Sequence, residues 1–164
     1  MIKPNPASIG DILNSPIQFA VPEYQREYTW GKNEAIEFFE DLKSYADSGT
    51  GSLFLGTLIF DISKKNQKKI KVVDGQQRIT TILLFLIACR NVARQINAVD
   101  LATLIQTKIT FTDPTTAESL GCRLIASESI REVFETISSD FSWDGTFQPK
   151  LGKKPVKRQV NRIK

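Results

Sequence analysis

The sequence predicts a mixed α/β (α+β) domain in which a small sheet packs on one long, buried helix. Three observations carry this. A β-branched run, Ile70 to Val73, stops at Asp74-Gly75, and a helical pattern from Gln76 to about Asn97 begins straight after it. Ile79, Ile82, Leu83, Leu86, Ala93 and Ile96 make one face of that pattern, and Leu84, Phe85 and Ile87 make much of the rest apolar. A helix apolar almost all round belongs at the centre of a fold. Finally, Leu53 to Ile62 is apolar along its length and reads as a central strand.

The remaining elements follow in order. Ser8-Ile9-Gly10-Asp11 fits a capping box in which Asp replaces the usual Glu or Gln, opening a short helix that ends near Asn14, before Pro16. Ile17 to Val21 reads as a strand. Pro22 to Trp30 has no clean period. Tyr24, Tyr28 and Trp30 can staple that loop to the core, whereas Gln25 and Arg26 gain nothing from packing there. A helix from Asn33 to about Asp47 places Ile36, Phe39, Leu42 and Ala46 at helical spacing, with Glu34, Glu37, Glu40 and Asp41 toward water. Ser48 to Ser52 is a loop, and Lys64 to Lys69 is a hairpin-like turn whose four lysines are expected to form a solvated tip, with a nucleic-acid contact as the alternative. Lys71 to Asp74 is the next strand. Beyond Ala98, Asp100 caps a short helix through Gln106, Lys108 to Thr112 and Arg123 to Ala126 are strands, and Asp113-Pro114 marks a turn. Ser129-Ile130-Arg131-Glu132 is a second capping box, opening a helix to about Ser138, and Phe141 to Gly145 is loop.

Composition narrows the chemistry. The chain has 164 residues and no histidine. That excludes Ser-His-Asp and Cys-His catalysis and His-ligated zinc within these residues. Cys89 and Cys122 are expected to be core thiols, not a disulfide. No apolar run is long enough to span a bilayer and no signal peptide opens the chain, so a soluble, cytoplasmic protein is expected, with no membrane partner. The formal charge is +4, but residues 150–164 carry seven basic and no acidic residues, leaving 15 basic against 18 acidic in the body. Residues 1–149 are therefore the expected domain, and residues 150–164 a basic linker or disordered tail.

The candidate site is the turn between the β-branched run and the long helix. Strand, Gly turn and helix start aim unpaired backbone N–H groups and a positive dipole end at one point, which favours an anion, usually a phosphate. Asp74, Gln76, Gln77, Arg78 and Thr80 crowd this turn, more polar side chains than a cap needs. The plainer alternative is that Asp74 caps the helix and Arg78 pairs with it at i,i+4. No Walker-type loop is present.

Four segments together carry a family resemblance: Ser8 to Leu13, Val21 to Trp30, Phe54-Leu55-Gly56-Thr57-Leu58-Ile59-Phe60, and Val73-Asp74-Gly75-Gln76-Gln77-Arg78-Ile79-Thr80-Thr81. Over roughly residues 8–140 the chain resembles the N-terminal domain of GmrSD-type and SspE-like modification-dependent restriction proteins, which is similar to the ParB-like nuclease and nucleotidase superfamily. The resemblance implies a ParB-like fold. It also implies binding, and in some members hydrolysis, of nucleoside triphosphates, coupled to cutting of modified foreign DNA by a separate C-terminal nuclease domain. The chain is then expected to be a short member or an N-terminal piece, with DNA contacted through the full-length protein.

Carried onto this chain, the motif nominates Asp74, Gly75, Gln76, Gln77 and Arg78, joined by Tyr24, Gln25 and Arg26. Arg78 and Arg26 offer planar forks for phosphate oxygens. Gly75 permits close backbone approach, and Thr80 or Thr81 can add a hydroxyl donor. Asp74 suits a Mg²⁺ ligand, often through water, or a group that orients the attacking water. Gln76 or Gln77 can position that water. Three functions compete: a triphosphate-hydrolysing domain in phage defence; a non-catalytic nucleotide- or DNA-binding regulatory module, whose tail can grip phosphates; and a protein-interaction domain without chemistry.

Overall fold

In the computed structural model, which describes residues 5–63 and 68–141, the chain is a mixed α+β fold. Helix α1 (Ile9–Asn14) starts as its sequence predicts. The Asp11 amide donates to Ser8 Oγ at 3.0 Å, and the Ser8 amide donates to Asp11 Oδ2 at 3.3 Å, so a carboxylate one methylene shorter than Glu still closes the box. The Ser8 hydroxyl, donating to Asp11 Oδ2 at 2.7 Å, and then the Ser8 amide hold the Asp11 carboxyl below its usual range.

A four-stranded sheet has the order β2-β3-β1-β6, built from β1 (Gln18–Ala20), β2 (Ile59–Asp61), β3 (Lys69–Asp74) and β6 (Leu124–Ile125). β1 is parallel to both neighbours, with Phe19 opposite Ile70 of β3 and Leu124 of β6; β2 runs antiparallel to β3. Phe19 stacks on Phe60 at 5.0 Å and shares one core with Val72, Ile79, Leu83, Ile87, Leu124, Ile130 and Phe134. The long helix α3 (Gln76–Gln95) runs through that core, packed on α4 (Val99–Ile109). A hairpin of β4 (Thr110–Thr112) and β5 (Ser119–Cys122) and the helix α5 (Glu128–Ser139) complete the described fold.

Several expectations are corrected. Leu53 to Ile62 is not a central strand: only Ile59–Asp61 is paired, at the sheet edge, and Gly56 at φ +96° turns the chain out of the extended region before it. Helix α2 (Lys32–Ser48) forms where predicted, but none of its residues is buried; Ile36 and Phe39 are exposed, and its hold on α3 runs through Phe38 and Phe39 beside Phe85, at 6.1 and 6.2 Å. Ile96 is also exposed, because the last turn of α3 leaves the core. Ala98, not Asp100, precedes α4, which runs on to Ile109 and takes Lys108 and Ile109 from the expected strand. The expected strand from Arg123 to Ala126 shortens to β6, and β5 before it has no counterpart in the sequence pattern. Helix α5 begins after Ser127, without a side-chain cap, so Ser129-to-Glu132 is not a capping box. Residues 64–67 of the lysine-rich turn, most of the loop after Phe141 and the basic tail lie outside the described residues.

Two arginines lock the elements together from inside. Arg90 on α3 is fully buried and donates to Asn91 Oδ1, to Gln106 Oε1 on α4, and to the Ile137 and Ser138 carbonyls of α5. Arg123, also buried, donates to the carbonyls of Ser15, Ile17, Thr107, Lys108 and Thr110. Burial pulls both guanidinium pKa values down, and the charge of Arg94 adds to that for Arg90. Cys89 and Cys122 are free thiols, as expected, and burial pushes both pKa values up.

Candidate functional site

β3 delivers Asp74 to the start of α3, and Gly75 makes the turn in the left-handed region at φ +87°. A side chain there fails twice: the conformation is strained for an L residue, and a Cβ would stand 2.8 Å from the Thr57 carbonyl. The helix opens without a side-chain cap, and Gly75, not Asp74, occupies the cap position. No ion pair joins Asp74 to Arg78 among the described residues. The plain cap-and-pair account of these two charges therefore does not hold.

The neighbouring loop, residues 22–30, is fastened to this helix start by amides. Gln77 Nε2 donates to the Glu27 carbonyl at 2.9 Å, while its Oε1 accepts from the Thr29 and Trp30 amides at 2.9 and 3.3 Å. Gln76 Nε2 donates to the Arg26 carbonyl. Gln25 Nε2 reaches the Val73 carbonyl at 2.6 Å. The Tyr28 hydroxyl shares a hydrogen bond of 2.9 Å with Thr81 Oγ1, and burial pushes its pKa up against that bond. Both glutamines and both threonines, Thr80 and Thr81, are buried. Tyr28 and Trp30 do staple the loop to the core, as the aromatic spacing suggests, but Tyr24 does not; it is 73% exposed.

The nominated residues thus divide. Gln25, Gln76, Gln77 and Thr81 form the seam between loop and helix. Asp74 and Arg26 are exposed, and Arg78 is half-buried. Arg78 lies across Gly56 and donates to the Thr57 carbonyl at 3.1 Å; a Cβ on Gly56 would come within 2.8 Å of its Cζ. Gly56 and Thr57 were not nominated from sequence. The signal was a glycine inside an apolar run, which marks close approach of another group. Tyr24 instead lines a cleft that none of residues 74–81 lines.

Asp74 is not part of a three-ligand cluster: no group of three His, Cys, Asp or Glu residues able to hold a metal occurs among the described residues. One carboxylate completed by phosphate oxygens and water is nevertheless how Mg²⁺ is commonly held at phosphate sites. An uncapped helix start and a half-buried arginine with donors to spare are together suited to an oxyanion, which the exposed Asp74 carboxylate can meet only through a cation or water.

The sequence matches the family described as GmrSD restriction endonuclease, N-terminal domain, over residues 9–161. The chain belongs to that family. No curated protein matches it. Membership in the GmrSD N-terminal family places the chain in a restriction system, and the Asp74-to-Thr81 turn lies inside the matched region. No helix among the described residues is long and apolar enough to cross a membrane.

Proposed function

We propose that this domain binds a nucleoside triphosphate at the turn between β3 and α3 and hydrolyses it, serving DNA cleavage that a separate nuclease domain performs. The observation that carries the reading is Arg78: it is seated on Gly56 beside the uncapped first turn of α3 and, among the described residues, makes a single hydrogen bond, to the Thr57 carbonyl. An arginine with a stem fixed by packing and donors still free can grip phosphoryl oxygens. Arg26 is the second candidate fork, on a loop that Gln76 and Gln77 hold in place. Bound Mg²⁺ would neutralise phosphate charge. Asp74 is the carboxylate available to hold it through water, or to orient an attacking water.

One observation favours the alternative, a nucleotide-binding regulatory module without turnover. The Gln77 amide and the Gln76 Nε2 are already occupied by the loop backbone. These glutamines act as positioning residues, which leaves Asp74 as the one nominated side chain for handling water. Turnover separates the two readings. The chain is incubated with Mg²⁺ and each of ATP, GTP, CTP and UTP, with phosphate release and thermal shift recorded together. Release that is lost in both Asp74→Asn and Arg78→Ala supports hydrolysis at this turn. A shift lost in Arg78→Ala, without release, supports the module. A folded chain showing neither abandons the nucleotide for this domain.

A further inference from the structure

The outer face of the sheet carries a second feature, separate from the β3–α3 turn. Ala20 and Val21 from the end of β1, Tyr24 from the loop, Lys69 and Lys71 from β3 and Arg131 from α5 line an open cleft of about 720 Å³. Lys68 and Glu23 line it too; Lys68 is already paired with Asp113 at 2.6 Å, so Glu23 is the one acidic side chain set against the three cations. Lys69 and Lys71 are exposed, and neither is in an ion pair among the described residues. They alternate along one strand and so project from one face about 7 Å apart. Arg131 fixes its Nε on the Ala126 carbonyl at 3.2 Å, which leaves the end of its fork for another partner.

Three properties identify the ligand. The patch is cationic although residues 1–149 hold 15 basic against 18 acidic residues, so it is not a by-product of overall charge. The cations are set apart on two elements, Lys69 and Lys71 on β3 and Arg131 on α5, and all three are at least partly open to solvent, an arrangement that suits successive phosphates on a chain better than one compact anion. An exposed tyrosine, Tyr24 at 73% accessible, lines the same cleft. Cations that track a backbone, next to an aromatic face on which a base can stack, form a single-strand platform. A duplex keeps its bases paired and out of reach of such a ring.

We propose that this sheet face binds single-stranded nucleic acid, with Lys69, Lys71 and Arg131 on the phosphates and Tyr24 stacked on a base. The site is independent of triphosphate binding at Arg78.

The test is fluorescence anisotropy of the full chain with a labelled oligothymidylate and with a mixed-sequence duplex, over a series of salt concentrations. The single strand should bind more tightly than the duplex. Lys69→Gln/Lys71→Gln should weaken single-strand binding about tenfold near 0.1 M salt and lower the slope of log K against log salt by about 1.4, at roughly 0.7 for each phosphate no longer neutralised. Lys32→Gln/Lys43→Gln makes the same charge change at exposed positions on α2 and should leave binding within twofold. Tyr24→Ala should cost about tenfold with the salt slope unchanged. Arg78→Ala should keep the oligonucleotide, so failure of the nucleotide reading leaves this result standing. Equal or tighter duplex binding, an equal loss in both lysine pairs, or no binding at low salt overturns the proposal.

Discussion

Arg78 and Arg90 sit on the same helix, about 18 Å apart along its axis, and have opposite fates. Arg90 is surrounded by neutral oxygens from three helices, and its donors are occupied within the protein. Among the described residues Arg78 makes one hydrogen bond, to Thr57, and it stays partly open to solvent. The polar residues around them differ in the same way. At Arg90 they satisfy the charge. At the turn, Gln76 and Gln77 turn away from the charged groups and fasten a loop instead. A crowd of polar side chains is thus not itself a site; the signal is a charge whose neighbours leave it free.

The contrast can be broken at its strong end first. Arg90→Met leaves the Ile137 carbonyl and the Asn91 and Gln106 side-chain oxygens without their donor, and the Ser138 carbonyl with Gln106 Nε2 alone. It should cost about 3 kcal/mol or more in urea denaturation, and a loss under about 1 kcal/mol would show that the cage is dispensable. Gln77→Leu comes next. It removes three bonds to the 22–30 loop and should cost about 2 kcal/mol, with the Glu27-to-Trp30 amides gaining hydrogen exchange well before the core does. Gly56→Ala strains a positive φ and displaces Arg78, for about 1–2 kcal/mol. The nucleotide-dependent thermal shift should fall with it, whereas an unchanged shift would separate Arg78 from the nucleotide. The smallest stability effects belong to the free charges. Asp74→Asn and Arg78→Ala should each change stability by no more than about 0.5 kcal/mol while abolishing phosphate release. A large stability loss there would make them structural residues after all.

Local signals were the legible ones. Ser8 and Asp11 close a cap three residues apart, and the β3–Gly75–α3 junction follows from a β-branched run ending at a glycine. Where the outcome depended on what arrives from elsewhere, sequence was silent. Leu53 to Ile62 reads alike whether central or at an edge, and only Gly56 hinted at the break. The stripe on α2 has the spacing of a buried face, yet burial needs a partner, and α3 meets it mainly through Phe38 and Phe39. The turn was legible as a polar cluster, but the roles of its amides were not. A glutamine can face water, substrate or backbone, and that choice was made by the loop at residues 22–30.

The wiring of the sheet also sets an order of events during synthesis. β1 lies between β3 and β6, so the strand formed from residues 18–20 is flanked on one side by residues 124–125. Phe19 pairs with Leu124, and Arg123 reaches back to Ser15 and Ile17. Contacts this distant in sequence close slowly. As the chain leaves the ribosome, β1, β3 and the amide seam can meet first, but the open edge of β1 must wait for the segment that carries Arg123. A nascent chain stalled before that point would present an uncovered strand edge beside its hydrophobic core, the surface on which strands from other chains add.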